Sequence, residues 1–320
     1  DRSAVFLQSA LANARRWLAM DNADLLIWGE INDVGNVIHI RFAPMGGEAD
    51  HPGGFLITDR HALPTNFSLD FDKLFYTIAV AAVVPRTEAQ KLLVKPLLLS
   101  ALGSAEEAKQ RPPQELLLQD QLTIKVCYGS VTALLGHYMD DSNWFRKAAT
   151  IYQEALDSVS KDTDHIAWAN IQFHLTRVRQ VLGERSSDAE ILQNSANIFE
   201  EILNLFTYND FPVEWGNIQS RIGNTLYRLD VINGEIDLLK NSIAAYQSAL
   251  RVFTRLNAPL KWSELKNNLA QALQVWGDLT RNTKILECAV MACQDALQVR
   301  NRLGTPMLWA ATQNNMGSAL

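Results

Sequence analysis

The sequence predicts a mainly α-helical fold, an α-solenoid of helix-pair repeats preceded by a small α/β domain. Tryptophans recur at a constant spacing of 47 residues, at Trp168, Trp215, Trp262 and Trp309. Prolines stand three residues before the last three of them, at Pro212, Pro259 and Pro306. The period does not extend into the first 120 residues, where the composition also changes. A period of this length is typical of stacked supersecondary units rather than of one catalytic globule.

The first helix of each unit follows from its apolar positions. Counted from the tryptophan as position 0, apolar or small residues fall at positions 0, 7, 8, 11 and 14, which share one stripe of a helix. This stripe places the tryptophans in the core. Proline suits the first turn, and Thr305 is predicted to cap the helix that begins at Pro306. Glycine at position 15, as at Gly183 and Gly277, predicts the helix end, because glycine adopts the left-handed conformation easily.

A second helix is predicted in the remainder of each unit, over 189–205, 236–256 and 283–302. Position 31 holds Phe199, Tyr246 or Cys293, and apolar or small residues follow three and four residues later, which is the pattern of a buried helix face. Because Tyr152 keeps this pattern one period earlier, an atypical capping unit is also predicted. The predicted units cover 121–167, 168–214, 215–261 and 262–308, with a partial unit at 309–320.

The first 115 residues are predicted to form a separate α/β module, and residues 116–320 the helical array. A helix over 3–19 precedes a buried strand over 24–31, and a second strand over 37–42 pairs back as a hairpin. Residues 54–58 are predicted to form a third strand. Helices follow over 70–84 and 88–102, and Pro96 is expected to kink or split the second. The longest apolar run, residues 74–85, is too short to span a membrane.

The repeat region resembles the tetratricopeptide repeat family. An apolar residue followed by a small one carries this resemblance in the first helix, at Ile222-Gly223, Leu269-Ala270 and Met316-Gly317, and Ser242, Tyr246 and Ala249 carry it in the second. The unit is about 13 residues longer than the usual repeat, and the extra residues are predicted to lie between the two helices and before the tryptophan. The segment from Pro306 to Leu320 is similar to a long-repeat branch common in bacterial signalling proteins. The resemblance implies a helical superhelix that binds other proteins.

Residues 23–42 resemble the small α/β domain of TolB-like bacterial proteins. That resemblance implies a sensory or docking part ahead of the array. The chain begins at Asp1 rather than Met, and its last residues lie inside a predicted first helix. We therefore expect a fragment of a longer protein, with contacts to its missing domains among the expected partners.

Composition narrows the classes of function. A net charge of −6 argues against a nucleic-acid surface. Three cysteines without paired spacing fit a reducing compartment, so a cytoplasmic location is predicted. The sequence contains no phosphate-binding glycine loop, no zinc-protease motif and no nucleophile elbow. His51 and His61, close to Asp50 and Asp59, are interpreted as polar loop residues rather than as a metal site. No cofactor, no catalytic residue and no enzymatic activity are predicted.

The polar side of the first helices is the predicted binding site, because in the family that side lines the concave groove. It carries Arg177, Arg221, Asn224, Arg228, Asn267, Asn268 and Gln271. Asparagine amides can bind the backbone of an extended peptide, and arginine can bind a carboxylate with two hydrogen bonds. We expect a protein or peptide partner with an acidic or C-terminal carboxylate group. The alternatives are a solvated polar face and asparagine contacts between neighbouring units.

The leading functional prediction is a non-enzymatic scaffold, the recognition region of a larger bacterial signalling protein. Two other functions remain open at this point. The array could be a regulatory sensor that controls an effector domain outside this sequence, or a structural element that self-associates.

Overall fold

The computed structural model describes residues 10, 13–14, 16–18, 20–21, 23, 25–31, 35–44, 51–56, 58–65, 69–83, 85, 88–114, 116–117 and 120–320. Over these residues the fold is mainly helical with one small antiparallel sheet, as predicted. The chain divides into two compact units, Asp1–Leu182 and Gly183–Leu320. The domain boundary expected after residue 115 stays a prediction. No helix among the described residues is both long enough and apolar enough to cross a membrane.

The sheet of the first unit contains three strands in the order β1-β2-β3, namely β1 (Leu25–Ile31), β2 (Val37–Pro44) and β3 (His61–Pro64). The predicted hairpin is confirmed, since Leu25 pairs with Pro44 and Ile31 with Ile38. The third strand predicted over 54–58 is wrong. None of residues 54–56 and 58 is in a strand, Asp59 N–H donates to Leu56 O in a turn, and the strand begins only at His61.

The burial predicted for β1 is also wrong. Within the described sheet β1 pairs only with β2, and Ile31 is 62% exposed. A continuous apolar run does not by itself distinguish a central strand from an edge strand. The buried strand is β3, whose four residues are all buried against α1 (Leu69–Ala82).

The helices of the first unit agree with the prediction in place but not always in length. They are α1, α2 (Glu88–Gln110), α3 (Leu122–Met139), α4 (Ser142–Leu156) and α5 (His165–Ser186). Pro96 lies inside α2 without ending it. Of the helix predicted over 3–19, residues 10, 13–14 and 16–18 are helical, and the other residues lie outside the described part of the chain. Phe42, Leu63 and Ile78 form part of the core that the sheet shares with α1.

The second unit is a series of paired helices, α6 (Ala189–Leu203), α7 (Pro212–Asn233), α8 (Ile236–Ala249), α9 (Pro259–Thr280), α10 (Thr283–Leu297) and α11 (Pro306–Ala319). From α6 onwards, each helix packs against the next one along the chain. The first helices also pack against each other, α7 against α9 and α9 against α11. The predicted starts at Pro212, Pro259 and Pro306 are confirmed.

The turn between the two helices of a unit recurs with the same period as the tryptophans. Position 19 has a left-handed backbone at Asp140, Ser187, Gly234 and Arg281, with φ of 54°, 52°, 70° and 49°. Position 20 is the N-cap of the second helix, where the side chains of Asp141, Asp188 and Asn282 accept a backbone N–H. Each turn therefore has only two residues, so the extra length predicted between the helices is wrong. The connection before each tryptophan does contain part of the extra length, as predicted, and the long first helix contains the rest.

The glycines at position 15 have a different role from the predicted one. The helices continue to Ser186 and Thr280, so Gly183 and Gly277 lie inside them. A Cβ at Gly277 would lie 2.6 Å from Leu286 Cδ2, and one at Gly183 would lie 2.9 Å from Ile191 Cγ2. These glycines allow the second helix to approach closely, whereas the left-handed helix end is four residues further on.

The tryptophans are half-buried, so the prediction that they lie in the core is wrong. Each has a cationic side chain within 6 Å of its ring centroid. Lys161 lies 4.6 Å from Trp168, Arg251 5.9 Å from Trp215, Lys266 5.7 Å from Trp262 and Arg302 5.9 Å from Trp309. Such pairs are worth about 0.5–1 kcal/mol at exposed sites. The position-31 residues occupy the core instead, since Tyr152, Phe199, Tyr246 and Cys293 are all almost fully buried.

Candidate partner-binding face

Side-chain amides link three first helices of the second unit. Asn268 Nδ2 of α9 donates to Asn224 Oδ1 of α7 over 3.1 Å, and Asn267 Nδ2 lies 3.4 Å from Asn268 Oδ1. Asn315 Nδ2 of α11 donates to Asn267 Oδ1 over 3.1 Å. The four asparagines therefore form one chain of hydrogen bonds across α7, α9 and α11, which we call the amide chain.

The surroundings of the amide chain fix its orientation. The hydroxyl of Tyr246 also donates to Asn224 Oδ1, over 2.8 Å. Within the chain, Thr312 Oγ1 donates to Asn267 Oδ1 over 2.9 Å and accepts from the buried Arg300 Nη1 over 2.9 Å. Because the oxygen of Asn224 accepts twice, its Nδ2 group is directed away from these partners, and no described residue accepts from it. The amide chain thus presents a positioned donor at its α7 end.

Two of the predicted residues lie near this chain and are accessible. Arg228 is exposed and follows Asn224 by four residues, so the two side chains share one face of α7. Gln271 is half-buried and stands in the same relation to Asn267 on α9. Its amide has no hydrogen bond to any residue that the structure describes.

Three of the predicted binding residues are buried rather than accessible. Arg221 and Asn267 are 6% and 9% exposed, and Asn267 is fully engaged in the amide chain. Arg177, in the first unit, is 2% exposed. Its guanidinium donates to the backbone oxygens of Gly54, over 3.0 Å, and His51. A binding role for these three stays a prediction, and the accessible members of the predicted set are Asn224, Arg228, Asn268 and Gln271.

A buried polar cluster in the first unit has no counterpart in the sequence prediction. His174 Nε2 lies 2.9 Å from Asp59 Oδ2, and the ring of His174 stacks on Tyr152 at 5.5 Å. Cys127 Sγ lies 3.6 Å from His61 Nδ1. The sequence shows that His61 is close to Asp59 along the chain. It does not show their partners, because Cys127 is 66 residues from His61 and His174 is 115 residues from Asp59.

Burial and neighbouring charges shift the pKa values of Asp59, His61 and Cys127 in this cluster. Burial alone would raise the pKa of Asp59, but the charge and hydrogen bond of His174 outweigh it and lower that pKa below its ordinary value. Burial lowers the pKa of His61 to about 4. Burial, followed by the Asp59 charge, raises the pKa of Cys127 well above its ordinary value, so Cys127 is a thiol rather than a nucleophilic thiolate.

The arrangement of these groups does not match metal chemistry. Within the part of the chain that the structure describes, no three His, Cys, Asp or Glu side chains are placed to hold a metal ion. Asp50, which the sequence placed near His51, lies outside the described residues.

Neither a scan against protein-family models nor a search of curated proteins finds a match to this chain.

Proposed function

We propose that this chain is a non-enzymatic protein-interaction scaffold, a solenoid of long tetratricopeptide-like repeats that binds a peptide or partner domain along its first helices. The observation that carries the proposal is the accessible polar face beside the amide chain, where the exposed Arg228, the second amide donor of Asn224 and the Gln271 amide lie. Stacked repeats commonly offer such continuous surfaces to other proteins. A cytoplasmic location in a bacterial signalling protein belongs to the same proposal.

The regular helix pairs support the solenoid part of this proposal. Each 47-residue unit corresponds to a first helix of 22 residues, a two-residue turn, a second helix of 14 or 15 residues and a connection of eight or nine residues. The left-handed residue at position 19 recurs in four successive units, from Asp140 to Arg281. Repetition of the same turn and the same helix lengths is the condition for a stack with constant geometry.

The chemistry of the accessible groups defines the expected ligand. The Nδ2 group of Asn224 is a positioned donor for a backbone carbonyl, and the Gln271 amide offers both a donor and an acceptor. Arg228 supplies a cation on the same face as Asn224, and guanidinium groups bind carboxylates strongly. We therefore expect an extended peptide that carries an acidic side chain or a free C-terminal carboxylate.

A display selection with random peptides, both internal and C-terminal, tests this proposal. Enriched peptides are synthesised with a free or an amidated C-terminus, and their Kd is measured by fluorescence anisotropy. Arg228→Glu should weaken binding at least 10-fold, because a hydrogen bond to a charged group is worth about 1.5–3 kcal/mol. Amidation should weaken binding similarly if the terminal carboxylate is the group that Arg228 binds.

Lys284→Glu is the matched control, because Lys284 is an exposed cation on α10, a second helix. It should leave the Kd within about twofold of the parent value. An equal loss with Lys284→Glu would assign the effect to overall charge and contradict the proposed face. A selection without any enriched peptide would contradict peptide binding itself.

One observation favours the second candidate, a regulatory sensor region that controls an effector domain. Buried polar contacts, rather than apolar packing alone, anchor the loop between β2 and β3 to α5 in the first unit. Such contacts are sensitive to a change of charge. The candidate requires that the activity of the full-length protein depends on the state of this loop.

A further inference from the structure

The loop between β2 and β3 is held by long-range polar contacts. We call residues 51–56 and 58–60 the anchored loop. Asp59 pairs with His174, and Thr58 Oγ1 donates to Asn170 Oδ1 over 2.9 Å. Arg177 donates to two backbone oxygens of the loop. Three residues of α5 therefore hold the anchored loop in place, and Asp59, Asn170, His174 and Arg177 are all at least nine-tenths buried.

Gly53 shows how closely the anchored loop approaches α3. Its φ is +89°, and a Cβ there would lie 2.4 Å from Ser130 O. The positive φ and the missing Cβ of Gly53 therefore allow the loop to lie directly against the helix. Because packed interiors transmit strain, we expect the contacts of the loop to break together when it opens.

His61, the first residue after the anchored loop, is 1% exposed and lies in a mostly apolar site. Its ring is 4.2 Å from that of Phe55 and 5.7 Å from that of Phe42, measured between centroids. Cys127 Sγ is the neighbour of Nδ1, and no described residue forms a hydrogen bond with Nε2. A protonated imidazole carries an N–H on both nitrogens. In the closed loop the cation would thus bury both a positive charge and an Nε2–H without an acceptor among the described residues, which is costly.

The charged and titratable groups around His61 come from each element packed against it. Asp59 of the anchored loop favours its cation, whereas Arg41 of β2 and His174 of α5 oppose it. Cys127 of α3 is a neutral thiol, because burial and Asp59 raise its pKa. Burial is the largest effect, and the pKa of His61 in the closed loop is about 4, so the closed loop requires a neutral His61 near pH 7.

We propose that the anchored loop is a pH-sensitive latch, in which proton uptake by His61 releases this loop from α3 and α5. The proton comes from solvent as the loop opens, and the cation is then hydrated. Mild acid shifts the population towards the open loop, because only the open loop can accommodate the charged ring. The latch does not depend on the partner-binding face proposed above.

The expected size of the effect follows from linkage. A histidine with a pKa of about 4 when closed and an ordinary 6.5 when open binds protons preferentially in the open state below pH 6.5. Between pH 7.5 and pH 5.0 the opening constant should increase about 30-fold. Below about pH 4 both states are protonated, and no further increase is expected from this group.

Hydrogen exchange measured by mass spectrometry tests the latch. Peptides that cover residues 51–64 are compared at pH 7.5 and pH 5.0, with labelling times scaled to equal intrinsic exchange. The parent should exchange about 30-fold faster at pH 5.0 in this segment, with little change in α9. His61→Phe, whose ring suits a site lined by Phe42 and Phe55, should remove the pH dependence. His165→Gln, at an exposed histidine, should behave as the parent.

Two results would overturn the latch, namely no acid-induced opening in the parent or the same opening in His61→Phe. If His61→Phe does not fold at pH 7.5, the imidazole carbon signals of the parent are followed by NMR instead. A His61 signal that titrates together with loop opening supports the latch. A His61 that remains neutral while the loop opens excludes it.

Discussion

Gly223 and Tyr246 are a matched pair, because a Cβ on Gly223 would lie 2.7 Å from the Cδ1 and Cε1 ring atoms of Tyr246. The same relationship joins Gly129 to Tyr152, where the corresponding distance to Cε1 is 2.6 Å. One unit after Gly223 and Tyr246, the corresponding pair is Ala270 and Cys293, which lie in one buried cluster. In these three units the small residue of the first helix is therefore matched in size to the core residue of the second helix.

Gly223→Ala should destabilise the protein by about 1–3 kcal/mol, because the added methyl overpacks against a buried ring. In the Tyr246→Cys background, which copies the Ala270 and Cys293 pair, the same change should be neutral or stabilising. Alanine is favoured over glycine inside a helix by roughly 0.5–1 kcal/mol once the clash is removed. Urea denaturation of the four proteins gives the coupling, and additive effects would show that the two residues are not matched.

Trp262→Ala should be less destabilising than Tyr246→Ala. The indole is half-buried beside Lys266, whereas the phenol is 2% exposed and donates to Asn224. We expect a loss of about 3–5 kcal/mol for Tyr246→Ala, as for a large core residue, and roughly half of that for Trp262→Ala. Equilibrium denaturation measures both, and the reverse order would place the tryptophan in the core after all.

Arg281→Gly should stabilise the second unit, because Arg281 has a left-handed backbone that costs an ordinary residue about 1 kcal/mol. Gly234, at the same position one unit earlier, has open space around its missing Cβ, so Gly234→Ala tests the conformational cost alone. Thermal melts should show a higher Tm for the first variant and a lower Tm for the second. A change of Tm in the same direction for both would contradict this explanation.

Asp59→Asn should destabilise the protein at pH 7 by about 3 kcal/mol, because it removes one partner of a buried pair. The folded pKa of Asp59 is lowered, so the contribution of its charge is complete above the ordinary value of 3.8 and is lost as the pH falls through the folded value. Urea denaturation at pH 7 and at pH 3 should therefore show a smaller difference between variant and parent in acid. A difference that grows in acid would contradict the lowered pKa.

Local features of the chain predicted much of the second unit. The first helices begin at Pro212, Pro259 and Pro306 and the second helices begin at residues 189, 236 and 283, as expected. Proline and an amphipathic stripe act within a few residues, so a single sequence reveals them. Periodicity does not distinguish the centre of a buried helix face from its half-buried edge, and for this reason the predicted burial of the tryptophans was too high.

The candidate face was predicted only in part, for a related reason. The pattern identified the polar side of the first helices, and Asn224, Asn268, Arg228 and Gln271 lie there with accessible groups. The burial of Arg177 was not foreseen, because its acceptors belong to the anchored loop, and His51 is 126 residues away along the chain. Asparagine contacts between neighbouring units were one of the expected alternatives, and the amide chain consists of such contacts. The orientation of the Asn224 amide, however, depends on the position of Tyr246.

The sequence by itself determined the period of the repeat and the helix starts, because these depend on neighbouring residues. Only the tertiary structure decided that Gly277 makes room for Leu286 rather than ending a helix, and that His61 meets Cys127 and Asp59 meets His174. Such contacts depend on how distant segments pack, and packing selects among the roles that a glycine, an arginine or a histidine can have.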